Sequence, residues 1–447
     1  MVRYQTPSCL MEVTMEMFQI GFWTFSFVVF QGRTVEKKKM AGPKMSLVLY
    51  FHLYLACTYP YTRTLAQILL PIATIQDLSF KNTGFSMNLY RRISSFHDHN
   101  IFLSPLSIST AFATLSLATD GVTRDEILKG FNLEELEVAG QPEFIPKLFQ
   151  YLHGNLTQNA SIQLDQSTAL FLSQGFEIEA KFSEEIKMYF SADVMHVNLT
   201  DTEGSIDLIN QYISKKTENK VTKMLTSLDP LTQLMLINTI FFEGEWNVPF
   251  NPNNTKYAPF YIDNYNVVQV PMMFLEDKFY TAEDIPLGAK VLKLPYRHGV
   301  AMLILLPNKD MDYTLIDDEI SAERFQSWVT NLRKTKLEVH MPKFKMEQSY
   351  SLHRLLPAMG VSTIFNTAAN LTRLSKNKGI KVTEVLHKAG IEVDELGTTA
   401  AAATTIGITA YSMPMTFTID RPFFFFIYHE DTNCLIFMGR VIDPTKH

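Results

Sequence analysis

Near its C-terminal end the chain sets two strand-like segments, VTEVLHKAGIEVDE and FTIDRPFFFFIYHE, on either side of TTAAAATTIGITAYSMP, residues 398–414. The flanks are apolar and rich in β-branched and aromatic residues, which predicts two buried strands. The stretch between them opens with a run of small uncharged residues, nearly all Ala or Thr, and none is large enough to anchor a core. Alanine favours helix and threonine favours strand, so propensity leaves this segment undecided and able to adopt more than one state. A fold for this chain must therefore keep a long connection of no fixed preference between two strands of its core.

The rest of the chain supplies that core. IQDLSFKNTGFSMNLYRRI predicts a first amphipathic helix with Phe80, Phe85, Met87 and Leu89 toward the interior. NIFLSPLSISTAFATLSLAT follows as a short strand passing through Ser104 and Pro105 into a helix that is apolar on nearly every face, hence buried. Further on, QLMLINTIFFEGEW, NVVQVPMMF, AKVLKLPYRHGVAMLILLPN and KLEVHMPKFKM read as strands, and the run Phe423 to Phe426 reads as a strand buried on both faces. Helices in front and strands behind, with no repeat or low-complexity linker, predict one α+β domain on a large sheet over residues 61–447.

Residues 1–60 read as a leader. The apolar runs at 17–30 and 47–57 are both shorter than the roughly 18–20 residues of a membrane span. The second follows EKKKMAGPK, so Met40 or Met45 is a candidate start of a signal peptide ending near Ala56 to Thr58; the first is either an upstream extension of the frame or a second leader-like segment. Cys9 and Cys57 fall in this region, leaving Cys434 alone in the mature chain and no internal disulfide to form. Sequons at Asn155, Asn159, Asn198, Asn253 and Asn370 agree with a secreted glycoprotein. The net charge of -6 and the lack of a dense basic stretch argue against a nucleic-acid partner.

Catalytic chemistry is not legible. There is no G-x-G-x-x-G, G-x-x-x-x-G-K-S/T, G-x-S-x-G, H-E-x-x-H or paired C-x-x-C. HDHN at 97–100 reads as a polar turn rather than a metal cluster, and His387, inside an apolar strand, as a hydrogen-bonded core histidine rather than a base. The expectation is a protein that is not an enzyme.

NIFLSPLSISTAFATLSLATDGVTRDEIL, INTIFFEGEWNVPF and DRPFFFFIYHEDTNCLIFMGRVIDPT, in that order, resemble signature segments of the serpin family, and the resemblance runs from about residue 75 to the C-terminus. It implies a fold of three β-sheets and about nine helices in which residues 398–414 form an exposed reactive-centre loop. In inhibitory members the target protease cleaves this loop, and the freed part enters the main sheet as a new central strand with the acyl-linked protease attached. A segment first solvated and later buried cannot carry bulky charge. About a dozen new ladder hydrogen bonds at roughly 1 kcal/mol each gain on the order of 10 kcal/mol, comparable to a whole domain's stability. Such a native state is metastable and held by a kinetic barrier.

The resemblance implies a register. Its acidic hinge position matches Glu395, which puts the cleaved bond at Tyr411–Ser412. Gly397 and Thr398 match the hinge pair, and Ala400, Ala401, Ala402 and Ala403 the small-residue run. By the period of two, Thr398, Ala400, Ala402, Thr404, Ile406 and Ile408 would share one face of the inserted strand. Leu396 and Thr399 depart from the usual charged residues, but both changes remove charge. Ser104, Asn238 and His387 match the shutter, where the central strands part. An alternative within the family, a non-inhibitory carrier of a hormone or small ligand, is disfavoured because the first proline after Glu395 is Pro414.

ITAYSMP and the segments after it resemble members that inhibit activated coagulation factor X, and also activated factor XI, with protein Z as cofactor on calcium-loaded phospholipid. Tyr265, Asp318 and Asp98 match a protein Z contact surface there, while Asn264 and Ser95 depart from it. EELEVAGQPEF at 134–144 is not a basic helix, which argues against activation by heparin.

Overall fold

The computed structural model describes residues 75–138, 140–157, 162–397 and 415–446, together with the backbone of three strands near the start. The chain divides into two compact units, residues 1–68 and 69–447. In the first, strands β1 (Tyr4–Thr6), β2 (Cys9–Met17) and β3 (Trp23–Phe30) pair antiparallel in that order.

The second unit begins with helix α1, which spans residues 75–94. Phe85, Met87 and Leu89 are buried as expected, but Phe80 is 41% exposed. Met87, seven residues on and within about 20° of Phe80 on the same side of α1, is buried at 1%, so the exposure of Phe80 follows from its place near the start of the helix rather than from its angular position. Strand β4 (Ile101–Leu103) leads through Ser104 into α2 (Pro105–Ser116). Ser104 caps this helix by accepting the Ser107 N–H on its Oγ, and Pro105 occupies the first turn, where its missing N–H costs nothing. All twelve residues of α2 are buried. Its hydroxyls are satisfied locally: Thr110 and Thr114 donate to the carbonyls four residues back. Phe112 stacks on Phe131, which stacks on Phe85, at centroid distances of 4.6 and 4.3 Å.

Next come α3 (Gly121–Gly130), α4 (Phe144–Thr157), β5 (Ile162–Ser173), α5 (Ala180–Phe190), β6 (Asp193–Val197), α6 (Thr202–Lys216) and β7 (Leu234–Gly244). Strands β8 (Lys256–Tyr261), β9 (Val267–Asp284), β10 (Ala289–Pro295) and β11 (Val300–Pro307) precede α7 (Tyr313–Glu319) and α8 (Ala322–Thr330). The chain closes with β12 (Arg333–Pro342), β13 (Phe344–Ser351), α9 (Leu352–Leu355), β14 (Val382–Val393), β15 (Met415–Thr418), β16 (Phe423–His429) and β17 (Cys434–Val441). Nine α-helices are thus present among the described residues, as the resemblance implied.

The strands of this unit form two hydrogen-bonded sheets. One has nine strands in the order β15-β12-β9-β10-β11-β16-β17-β4, with β8 on β9. The 18-residue β9 pairs with β8 and β12 over its first part and with β10 over its last, joining what would otherwise be two sheets into one. Here Phe423 to Phe426 lie wholly buried, with β16 between β11 and β17. The other sheet has five strands in the order β13-β14-β7-β5-β6. Helix α2 is fastened to both sheets: Ser107 Oγ donates to Asn238 of β7, and Ser104 Oγ to the Ile436 carbonyl of β17.

Candidate functional site

At the centre of the five-stranded sheet β7 and β14 run parallel, paired over nine positions, although every other neighbour of either strand is antiparallel to it. A parallel pair with an antiparallel neighbour on each outer side leaves room, in direction, for one further strand antiparallel to both. The registers put Thr168, Asn238, His387 and Tyr350 in one row across four strands. All four are buried, with His387 fully so.

Thr168, Asn238 and His387 are bonded in series, and Tyr350 is tied to the same Phe102–Ser104 segment that holds His387. The Ser104 N–H donates to His387 Nε2 at 3.1 Å, which fixes the ring proton on Nδ1; that nitrogen donates to Asn238 Oδ1 at 2.8 Å. Asn238 Oδ1 also accepts Ser107 Oγ at 2.9 Å, and Asn238 Nδ2 donates to Thr168 Oγ1 at 2.9 Å. Tyr350 Oη accepts the Phe102 N–H at 3.3 Å. Burial holds the His387 imidazole down to about 3, so it stays neutral in this geometry. The sequence reading had Ser104, Asn238 and His387; Ser107, Thr168 and Tyr350 were missed, although Ser107 stands three residues from Ser104 at helix spacing.

The second part of the site is where β14 ends. Asp394 and Gly397 exchange backbone hydrogen bonds of 3.0 and 3.3 Å, so the chain reverses there, and Gly397 also bridges antiparallel to Glu245 just beyond β7. Gly397 has φ of +128°, and an added Cβ would lie 2.2 Å from the Gly244 carbonyl oxygen, so this position demands glycine. Around the turn, the Trp246 N–H donates to the Leu396 carbonyl at 3.0 Å, the Phe250 N–H to the Glu395 carbonyl at 2.8 Å, and Trp246 Nε1 to the Asp394 carbonyl at 3.0 Å. The Glu395 carboxylate accepts Lys343 Nζ and Thr255 Oγ1, each at 2.7 Å. Burial pushes the Glu395 carboxyl up, but these two donors outweigh it and hold it below the usual carboxylate range. Lys343, Thr255 and Trp246 were not found in the sequence because they lie 52 to 148 residues from their partners.

Thr398, Ala400, Ala401, Ala402, Ala403, Tyr411 and Ser412 lie outside the described residues, as do Asn159, Cys57 and the expected signal peptide. Tyr265 is 93% exposed at the β8–β9 turn. Asp98 and Asp318 are also exposed, on parts of the chain that the buried Arg440 staples together: its guanidinium pairs with Asp317 and donates to the His97 and His99 carbonyls. HDHN forms a turn, with the His97 and His99 rings 4.9 Å apart, and no group of three or more potential metal ligands occurs among the described residues. Asn198 and Asn253 are exposed, whereas Asn155 and Asn370 are half-buried. Cys434 is a buried free thiol, pushed up to about 12 by burial. No helix among the described residues is long and apolar enough to cross a membrane.

A family model described as Serpin (serine protease inhibitor) matches residues 80–444. Protein Z-dependent protease inhibitor of Mus musculus is 37% identical over 371 residues, 83% of each chain. The crystal structure of the mouse protein superposes with a TM-score of 0.79 at 36% identity, over 84% of this chain and 99% of that one. Human thyroxine-binding globulin superposes with a TM-score of 0.78 at 29% identity, over 83% and 99%.

Proposed function

The chain belongs to the serpin family, and on that premise we propose that it is a secreted inhibitor that traps a serine protease at Tyr411–Ser412 by inserting its loop between β7 and β14. The observation that carries this reading is the register at the hinge. Gly397 bridges both Glu245 and Asp394. Continuing both ladders sets residue 398 beside Gly244, residue 408 beside Leu234, and residue 404 between Asn238 and His387. Residues 398–408 then span all eleven residues of β7. Thr398, Ala400, Ala402, Thr404, Ile406 and Ile408 fall on the Asn238 face, since directly paired residues share a face. Insertion replaces one parallel ladder by two antiparallel ones, which are somewhat stronger per residue.

The barrier has a source in the polar row. The His387–Asn238 bond crosses the seam and must break before a strand can enter, and a buried polar group left unpaired costs about 1–3 kcal/mol. Thr404 is the residue that arrives at that point, and its hydroxyl can replace the lost partner. The seam is thus held by a bond that the incoming strand can re-form.

Protein Z-dependent protease inhibitor is named for a cofactor, and the likeness to it supports a narrower proposal: activated coagulation factor X as target, activated factor XI as a second, and protein Z with calcium and phospholipid as cofactors. A tyrosine before the cleaved bond suits a pocket that admits an aromatic ring, so a poorly matched target would depend on a cofactor that aligns both partners. Exposed Tyr265, Asp318 and Asp98 are the proposed contacts. Purified protein is mixed with activated factor X, with and without protein Z, calcium and phospholipid, and a detergent-stable complex is sought on a denaturing gel. A complex that needs the cofactors supports the full reading. A complex with chymotrypsin alone removes the coagulation target but keeps the inhibitor. Cleavage after Tyr411 with no complex and no gain in heat stability favours a carrier, the reading that the likeness to thyroxine-binding globulin suggests.

A further inference from the structure

We infer that Asn253 carries an N-linked glycan that guards the hinge against insertion by a second copy of this chain, an inference that rests on the loop-insertion reading. The segment from Trp246 to Thr255 is a clasp: the Trp246 N–H holds the Leu396 carbonyl, the Phe250 N–H holds the Glu395 carbonyl, and Thr255 Oγ1 holds the Glu395 carboxylate. Within it, Asn251 Oδ1 accepts the Asn253 N–H at 3.0 Å and shapes the short turn Pro252–Asn254, which leaves Asn253 exposed. Asn253-Asn254-Thr255 is a sequon. Thr255 therefore serves twice, as the third residue of the acceptor motif and as the hydroxyl on the hinge.

That double use orders events. In the folded chain the Thr255 hydroxyl is committed to Glu395, so glycosylation belongs to the nascent chain before the hinge forms. The Asn253 amide nitrogen loses one proton and bonds to C1 of the sugar, as the C1–O bond to a lipid-pyrophosphate oligosaccharide donor breaks and the lipid pyrophosphate leaves. Two residues of chain reach at most roughly 7 Å, so the first sugar is rooted beside the residue that clamps Glu395. A glycan is bulky and hydrated and stays in solvent.

The hinge is also the mouth of the seam. Gly397 bridges Glu245 at the end of β7 and Asp394 at the end of β14, so the described hinge ends at the seam of its own sheet. An extended segment of another molecule, adding as a strand between β7 and β14, has to approach the same mouth from solvent. A glycan on the clasp obstructs that approach and leaves the chain's own loop, which starts inside the clasp, unhindered.

The full chain is secreted from cultured animal cells as wild type, Asn253→Gln and Thr255→Ser, and three quantities are measured: glycopeptide mass at residue 253, heat-induced self-association on native gels, and covalent complex with chymotrypsin. Wild type and Thr255→Ser should be occupied at Asn253 and associate slowly. Asn253→Gln should associate about threefold or more faster while forming the same yield of complex. Should Asn253→Gln be secreted poorly, trimming the glycans of native wild type to a single sugar should give the same acceleration. An unoccupied Asn253, or equal rates with and without its glycan, overturns the inference. Absence of a protease complex from wild type overturns the inhibitory reading instead, since occupancy and self-association are read without protease.

Discussion

Strand β7 has two seams, and they are built differently. Toward β5 it runs antiparallel through eleven unbroken pairs; toward β14 it runs parallel through nine, with an irregularity at Val382 to Glu384. Asn238 sits on both, giving its Nδ2 hydrogen to Thr168 across the first seam and accepting from His387 across the second. Both seams carry one side-chain bond at the same level of the sheet. Only the second has the bridged turn at Gly397 at its end. In the proposed insertion, strand direction and the turn that feeds the gap select the second seam, and the polar bond across it sets how readily it opens.

The largest test of that difference is Thr398→Arg, which places a charge on the face that would be buried in the parallel seam. It should turn the inhibitor into a substrate, with cleavage after Tyr411 replacing the covalent complex; undiminished inhibition would remove the insertion argument. Next is Asn238→Ala, which strips both seams and leaves His387 and Ser107 with a lost partner. Unfolding free energy should fall by about 2–4 kcal/mol and self-association on heating should accelerate, read by denaturant titration and native gels.

Acidification acts on one seam alone. The folded pKa of His387, about 3, lies below the ordinary value of about 6.5, so its contribution is full above pH 6.5 and is lost as pH falls toward 3. Glu395 has a depressed pKa as well, and its contribution fades in the same direction in more acidic solution. The difference between wild type and His387→Gln isolates the histidine: the wild-type excess in stability should shrink from pH 6.5 downward, and an excess that grows would contradict the assignment. The smallest effect belongs to Thr168→Val, which unpairs only Asn238 Nδ2 across the antiparallel seam. It should cost about 1 kcal/mol in unfolding and leave the yield of protease complex unchanged.

Much of this was legible in the chain. The strands on either side of residues 398–414 are present as β14 and β15 with β16, and the family resemblance pointed to Glu395 and Gly397. Periodicity identified α2 as a buried helix because its apolar and small positions go all the way round. What escaped was set by pairing between distant parts of the sequence. Lys343 and Thr255 look like ordinary surface residues until strand register brings them onto Glu395. Phe80 shows the opposite failure, since hydrophobicity suggested burial while its place near the start of α1 leaves it partly exposed, unlike Met87 on the same side.

The length of β7 has a further consequence. In the proposed insertion, eleven loop residues lie along eleven strand residues, so β7 acts as a ruler of about 37 Å at 3.4 Å per residue. Side chains alternate between faces, so the ruler also counts odd from even. Deleting one alanine from residues 400–403 would shorten the travel by only one step. It would also carry both isoleucines to the other side of the sheet and set Gly407 and Thr409 on the inward face in their place, while Thr405 would step into the position of Thr404 and keep a hydroxyl beside His387 and Asn238. The four alanines look interchangeable, yet their number, more than their identity, determines which face of the inserted strand the two isoleucines take.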